Sequence, residues 1–199
     1  MTIDFSKRTH WIFDMDGTLT LAVHDFPAIR NKLGINKDLD IIEAIEALPP
    51  EEAHEKFRLL DEIEIELTLR SQEQPGAQRL LTLLSEQKKM LGILTRNTVR
   101  NAKDTLDECS LTSFFPNQQI LGRESAAPKP SPEGINILLD QWEVDPTSAV
   151  MVGDYKYDLE AGRKAGTATI YVDVNEENLW SDLADLHVYH LNEIIDLIR

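Results

Sequence analysis

Seven side chains of this 199-residue sequence could act together, and they fall in four short stretches. Asp14 and Asp16 stand two residues apart in Phe13-Asp14-Met15-Asp16-Gly17-Thr18. Thr95 and Arg96, followed by Asn97, end an apolar run that starts at Met90. Lys129 lies between two prolines, Pro128 and Pro130. Asp154 and Asp158 are one helical turn apart, just after the apolar run Ala149-Val150-Met151-Val152. Four carboxylates against one lysine leave a net charge of −3 when all are ionised. A pocket of that charge would repel an anion unless a cation joined it. Carboxylate, carbonyl and water oxygens are the ligands that a hard cation such as Mg2+ takes.

Each stretch has an ordinary reading when taken alone. Asp-x-Asp-Gly-Thr can be an Asx-turn with glycine supplying a positive φ. A Thr at a strand end often caps a helix, and Asn97 fits a cap as well as a ligand contact. A lysine between prolines can be a plain loop residue. The order of the four, each following a strand pattern, is what chance does not readily supply.

The elements that must position them alternate along the chain. Short apolar runs predict strands over 10–13, 90–94, 119–121, 149–152 and 168–172. Amphipathic stretches predict helices over 76–87, 98–108, 132–141, 155–165 and 192–199. This is the order of an α/β fold with a parallel sheet. In open parallel sheets ligands bind at the carboxyl ends of the strands, where all four stretches lie. About 70 residues between the first two strand patterns carry no convincing core strand, far more than a crossover needs. Helical patterns over 27–34, 38–48 and 51–69 fill it, with Asp38 a plausible N-cap for the second. Ile63, Ile65, Leu67 and Leu69 alternate like a strand, but the Glu and Leu content favours a helix. The segment reads as a small helical domain, 21–74, inserted into a main domain of 1–20 and 75–199.

Composition removes several classes of function. Lys and Arg number 20 against 35 Asp and Glu, a net charge of −15. That argues against non-specific nucleic-acid binding, which needs cationic surface, and against docking to anionic lipid. Hydrophobic residues make up 42% of the chain, too many for a disordered acidic tail. Cys109 is the one cysteine, so no internal disulfide can form, and no Cys/His set has zinc-finger spacing. No apolar run has the length of a membrane span, and Met1 to His10 has no apolar signal core. The expectation is a soluble, acidic, cytoplasmic globular protein, with the oligomeric state left open.

With the motifs and elements in place, the chain resembles the haloacid dehalogenase (HAD) superfamily of phosphotransferases. The residues that carry the likeness are Phe13 to Thr18, Leu94-Thr95-Arg96-Asn97, Pro128-Lys129-Pro130-Ser131-Pro132-Glu133 and Val152-Gly153-Asp154-Tyr155-Lys156-Tyr157-Asp158. The likeness spans Thr9 to Asp173 and is nearest to phosphoglycolate-phosphatase-like members. It implies a Rossmann-like parallel-sheet core with the helical insertion as a small cap domain. It implies a phosphatase that acts on a small phosphorylated metabolite through an aspartyl-phosphate. Asp14 would be the nucleophile and Asp16 the general acid and base. Asp14, the backbone carbonyl of Asp16 and Asp154 would bind Mg2+, with Asp158 behind them orienting a water or Lys129. Thr95 and amides near Met15 and Asp16 would hold phosphate oxygens, with Lys129 stabilising charge on the transferring group; Arg96, which reads by itself as an exposed arginine, could also reach the substrate. Thr18 is read as a turn and helix anchor, and His24 as a lesser candidate for substrate contact.

Three rivals can be set beside this reading. The dehalogenases of the superfamily lack the second aspartate, and Asp16 is present. A phosphomutase would need a cap that holds the far end of a sugar phosphate, for which Lys56, Arg58 and Arg70 could supply cations. A phospho-accepting signalling module also places acids, Thr and Lys at strand ends. The spacing of Asp14 and Asp16, the insertion, and the Asp154 and Asp158 pair fit that module poorly.

Overall fold

A computed structural model of the chain describes residues 3–22 and 25–199. The sequence forms six strands: β1 (His10–Phe13), β2 (Met90–Leu94), β3 (Ile120–Leu121), β4 (Ala149–Gly153), β5 (Ala168–Val172) and β6 (Leu186–Val188). They make one sheet in the order β3-β2-β1-β4-β5-β6, and every pairing is parallel. Strands of a parallel sheet covered on both faces are apolar throughout, and every residue of β1, β4 and β5 is buried.

Eight helices accompany the strands among the described residues: α1 (Phe26–Leu33), α2 (Ile41–Glu46), α3 (Pro50–Thr68), α4 (Ala77–Glu86), α5 (Val99–Glu108), α6 (Glu133–Trp142), α7 (Lys156–Ala165) and α8 (Leu191–Ile198). Alternate strand residues face opposite ways, which divides the core in two. Trp11, Phe13, Ile93 and Val152 pack with Leu80, Leu84, Leu106 and Ile194 of α4, α5 and α8. Ile12, Leu94 and Met151 pack with Ile135, Leu138 and Ala161 of α6 and α7. No helix of the described residues is long and apolar enough to cross a membrane.

The sheet register levels the ends that matter. Phe13 of β1 pairs with Ile93 on one side and Val152 on the other. Asp14, Thr95 and Asp154 therefore leave three adjacent strands within a residue or two of the same height. The Asp14 amide continues the ladder, donating to the Val152 carbonyl at 2.9 Å, and the Thr95 amide donates to Leu121 at 3.0 Å.

The chain divides into two compact units, Met1–Ala22 with Gln72–Arg199, and Val23–Ser71. The first holds the sheet. Its chain ends are paired where the second is inserted: Leu21 donates to the Gln72 carbonyl at 2.9 Å and Gln74 to Leu19 at 2.8 Å. An antiparallel bridge joins Thr20 and Glu73 between them. The second unit contains α1, α2 and α3 and has its own apolar cluster of Ile29, Leu33, Ile45, Leu60 and Ile63. Glu51 and Glu52 occupy the first turn of α3, where the helix dipole favours anions. The alternating stretch is the last turns of α3 and its C-cap Leu69, with Ile63 buried while Ile65 and Leu69 face out.

Two sequence expectations need correction. The N-cap of α2 is Asp40, whose carboxylate accepts from the Ile42 and Glu43 amides at 3.0 and 3.3 Å. Asp38 instead sits in the preceding turn, its amide held by the Asn36 side chain at 3.1 Å. The sheet also has a sixth strand, β6, on the edge beside β5.

Candidate active site

The loop after β1 is wound around one carbonyl. Met15 is fully buried, and its carbonyl accepts from the amides of Thr18, Leu19 and Thr20 at 3.3, 2.9 and 3.0 Å. Driving Met15 into the core leaves Asp14 and Asp16 on either side of it at the carboxyl end of β1. Gly17 adopts φ +85°, a left-handed conformation that side chains resist. A Cβ there would also overlap the Asp154 carboxylate. Thr18 is fully buried, and its hydroxyl donates to Asp154 Oδ1 at 3.1 Å. The turn at the end of β1 thus shapes and holds the acid at the end of β4.

Lys129 joins the remaining acids. Its ammonium is 2.5 Å from Asp14 Oδ1 and 2.6 Å from Asp158 Oδ1, with the side chain only 3% exposed. Asp158 turns its other oxygen to the Tyr155 amide at 3.0 Å, at the start of α7. Gly153 makes room for this, since a Cβ on it would overlap the Asp158 side chain. From β2, the Asn97 amide donates to Thr95 Oγ1 at 3.1 Å, which leaves the hydroxyl proton of Thr95 for another acceptor. Asn97 Nδ2 donates to Asp16 Oδ2 at 2.7 Å.

Burial, with crowded charge added to it, shifts the protonation of these groups. Burial first, and then the neighbouring Asp14, push the Asp16 carboxyl up to about 7, against the Asn97 hydrogen bond. Burial, Asp14 and Asp158 hold Asp154 well above the carboxylate range. Asp158 rises to about 6 because burial outweighs the adjacent Lys129 ammonium. Burial alone would lower Lys129, but Asp14 and Asp158 raise it well above an ordinary lysine. Crowded buried carboxylates that resist ionisation are a site short of positive charge.

The donor chemistry fits a hard divalent cation. Asp14, Asp154 and Asp158 each offer an oxygen, all within 4.8 Å of one another. Among the described residues, Asp158 engages both its oxygens, one with Lys129 and one with the Tyr155 amide. Asp14 and Asp154 engage one oxygen each, with Lys129 and Thr18. The Gly17 cradle, which a Cβ would fill, keeps Asp154 accessible to such an ion.

The structure therefore brings Asp14, Asp16, Lys129, Asp154 and Asp158 together, with Thr95 joined to Asp16 through Asn97. Arg96 lies beside them with its guanidinium over the Tyr157 ring at 5.3 Å. His24 lies outside the described residues. Two residues have contacts the sequence did not reveal. Thr18 is an anchor, and what it anchors is Asp154. Asn97 holds Asp16 rather than capping α5, whose N-cap is Thr98, accepting from the Asn101 amide at 3.1 Å. The adjacent Asn-Thr pair was the available signal, since one helix needs one cap.

The site is thus a set of acids at the ends of adjacent central strands of a parallel sheet, with a buried lysine between them. Residues 11–172 match the family model of haloacid dehalogenase-like hydrolases. An uncharacterized hydrolase of Saccharomyces cerevisiae is 33% identical, over 94% of this chain and 89% of its own. An N-acetylmuramic acid 6-phosphate phosphatase of Pseudomonas putida is 26% identical, over 93% of this chain and 95% of its own. A haloacid dehalogenase-like family hydrolase from Streptococcus pneumoniae superposes with a TM-score of 0.74 at 20% identity, over 98% of this chain and 100% of its own. The chain belongs to the haloacid dehalogenase-like hydrolase family and is an enzyme, a phosphatase-like hydrolase.

Proposed function

We propose that this chain is a Mg2+-dependent phosphatase that hydrolyses a small-molecule phosphomonoester through an aspartyl-phosphate on Asp14. The observation that carries the reading is the loop after β1: Asp14 is held by Lys129 and Asp16 by Asn97, at the end of the central strand. A carboxylate nucleophile and a separately held acid are what a two-step displacement needs.

In the first step, the Asp14 carboxylate forms a bond to phosphorus as the bond to the leaving oxygen breaks. Asp16, which binds its proton up to about pH 7, gives that proton to the leaving oxygen. In the second step, Asp16 takes a proton from water while that water attacks phosphorus, and Asp14 leaves as a carboxylate. Lys129 lies within reach of the equatorial oxygens by its contact with Asp14, and the Thr95 hydroxyl supplies a further donor. Asp158 positions Lys129. Asp14, Asp154 and the carbonyl of Asp16 would hold Mg2+, which when bound offsets the negative charge that the phosphoryl group meets. The helical insertion, with the core as 1–20 and 75–199 and the insertion as 21–74, is assigned as the cap that sets specificity. A relative named for a sugar phosphate supports a small phosphorylated metabolite as the substrate class.

The test is phosphate release from an aryl phosphate with Mg2+. Asp14→Asn is expected to bring turnover to background while its circular dichroism spectrum matches the parent. Parent-level activity in that variant would remove Asp14 as nucleophile.

A further inference from the structure

Asn97 is fixed at three points, and one of them is supplied from beyond the site. Its amide donates to Thr95 Oγ1 at 3.1 Å and its Nδ2 to Asp16 Oδ2 at 2.7 Å. Its carbonyl accepts from the Arg123 amide at 2.9 Å. Arg123 belongs to a turn just past β3, Gly122 to Ser125, which the steps above do not use. The turn closes on itself. The Ser125 amide donates to the Gly122 carbonyl at 2.9 Å, and the Gly122 amide donates to Ser125 Oγ at 3.1 Å.

This turn is pressed against the start of α5. A Cβ on Gly122 would lie 2.5 Å from the Val99 nitrogen and 2.6 Å from the Asn97 oxygen. Both are main-chain atoms, so a side chain there must displace backbone and cannot simply rotate aside. Glu124 adds a second tie, its Oε1 accepting from the Val99 amide at 2.9 Å. Val99 is the first residue of α5, and such an amide has no partner within its own helix. A carboxylate is favoured there by the helix dipole. Asn97 and Gly122 are buried while Glu124 is exposed. The close backbone approach at Gly122 is therefore the stiffer of the two ties.

We propose that the Gly122 turn is a positioning element for the general acid: it sets Asn97 through the main chain, and the Asn97 side chain sets the Asp16 carboxyl. The role deepens the phosphatase reading and rests on it. Thr20 also hydrogen-bonds Asp16 from its own loop, so the turn governs only the Asn97 side of the carboxyl. A general acid works only within hydrogen-bond reach of the leaving oxygen. A displacement of about 1 Å passed on from a distant residue can cost roughly 100-fold in rate.

The experiment compares kcat/KM, at saturating Mg2+, for phenyl phosphate and 4-nitrophenyl phosphate, two esters of similar shape. Phenolate is the poorer leaving group and depends more on the proton from Asp16. Asn97→Ala should lower the phenyl-to-nitrophenyl ratio about tenfold, part of the roughly 100-fold or more that a positioned acid contributes. Gly122→Ala should lower the ratio about three- to tenfold and add nothing in the double variant, because both act on one path. A role confined to holding Thr95, or to the fold, would lower both esters equally and leave the ratio at the parent value. An unchanged ratio in Gly122→Ala, or a further fall in the double variant, overturns the proposal and leaves the phosphatase reading standing. If circular dichroism shows that Gly122→Ala does not fold, Glu124→Ala takes its place. Its ratio should fall about threefold, the scale of one exposed hydrogen bond, and Glu124→Gln, which keeps an accepting oxygen, should restore it. An unchanged ratio in Glu124→Ala then overturns the proposal. Absence of phosphate release from both esters by the parent overturns the phosphatase reading as well.

Discussion

Lys129 and Gly17 show how single residues make this site possible. The lysine is buried between two carboxylates, so neither its charge nor theirs can be removed without leaving the rest uncompensated. Gly17 acts through the space it leaves, since any side chain there meets the Asp154 carboxylate. Gly17→Ala adds a left-handed strain of about 1–2 kcal/mol and displaces Asp154. The expected outcome is a lower melting temperature together with a higher Mg2+ concentration for half-maximal activity, read by thermal melts and a metal titration. An unchanged metal titration would separate the loop from the metal. At this scale the sequence revealed residue types better than partners. Asp14, Asp16, Lys129, Asp154 and Asp158 stood out because each follows a strand. That Thr18 reaches Asp154, 136 positions away, depends on β1 and β4 being neighbours, which spacing along the chain does not encode.

Beyond the site, one carboxylate ties together the edge of the sheet. Asp173, just after β5, accepts from the Glu177 and Asn178 amides at 3.1 and 2.7 Å and lies 3.2 Å from His187 Nε2 of β6. Burial would raise its carboxyl, but these hydrogen bonds outweigh burial and leave it below its ordinary value near 3.8. A carboxyl lowered by folding stabilises the native state above the unfolded-state value. That contribution is lost as pH falls through the folded value. Asp173→Asn is therefore expected to be less stable than the parent at neutral pH, with the gap narrowing below about pH 4, as followed by melting temperature against pH. A gap that holds constant into acid would mean the ionised carboxylate is not what fastens the edge. This edge was also the least legible element. β6 is three residues with a histidine in the middle, too short and too polar to register as an apolar run. By contrast, β1, β2 and β5 are four or five residues long and mostly apolar, and they lie where those residues put them. The sequence reading puts the cap of α2 at Asp38; Asp40, two residues on, is the same residue type, and it is its carboxylate that accepts from the Ile42 and Glu43 amides, while Asp38 sits in the turn held by Asn36.

For the molecule as a whole, a net charge of −15 repels any phosphorylated substrate at long range. Capture must then depend on cations held at the site, and added salt screens the repulsion. The expected result is that kcat/KM at saturating Mg2+ stays level or rises with moderate KCl. A steep fall would indicate electrostatic steering toward the site. The paired segments where the chain leaves and re-enters the core carry a different consequence, one of folding rate. Pairing His10 with Met90 closes a loop of about 80 residues. Of these, Val23–Ser71 accounts for 49. Leu21 and Gln72 are already hydrogen-bonded at 2.9 Å, so a short turn could replace everything between them. Shortening the loop to about 30 residues lowers its closure entropy by about 0.8 kcal/mol. If β1 and β2 pair in the rate-limiting step, the excised chain should refold about fourfold faster in stopped-flow fluorescence. The same ribbon, formed early in the intact chain, would let the sheet close as though the insertion were already a turn.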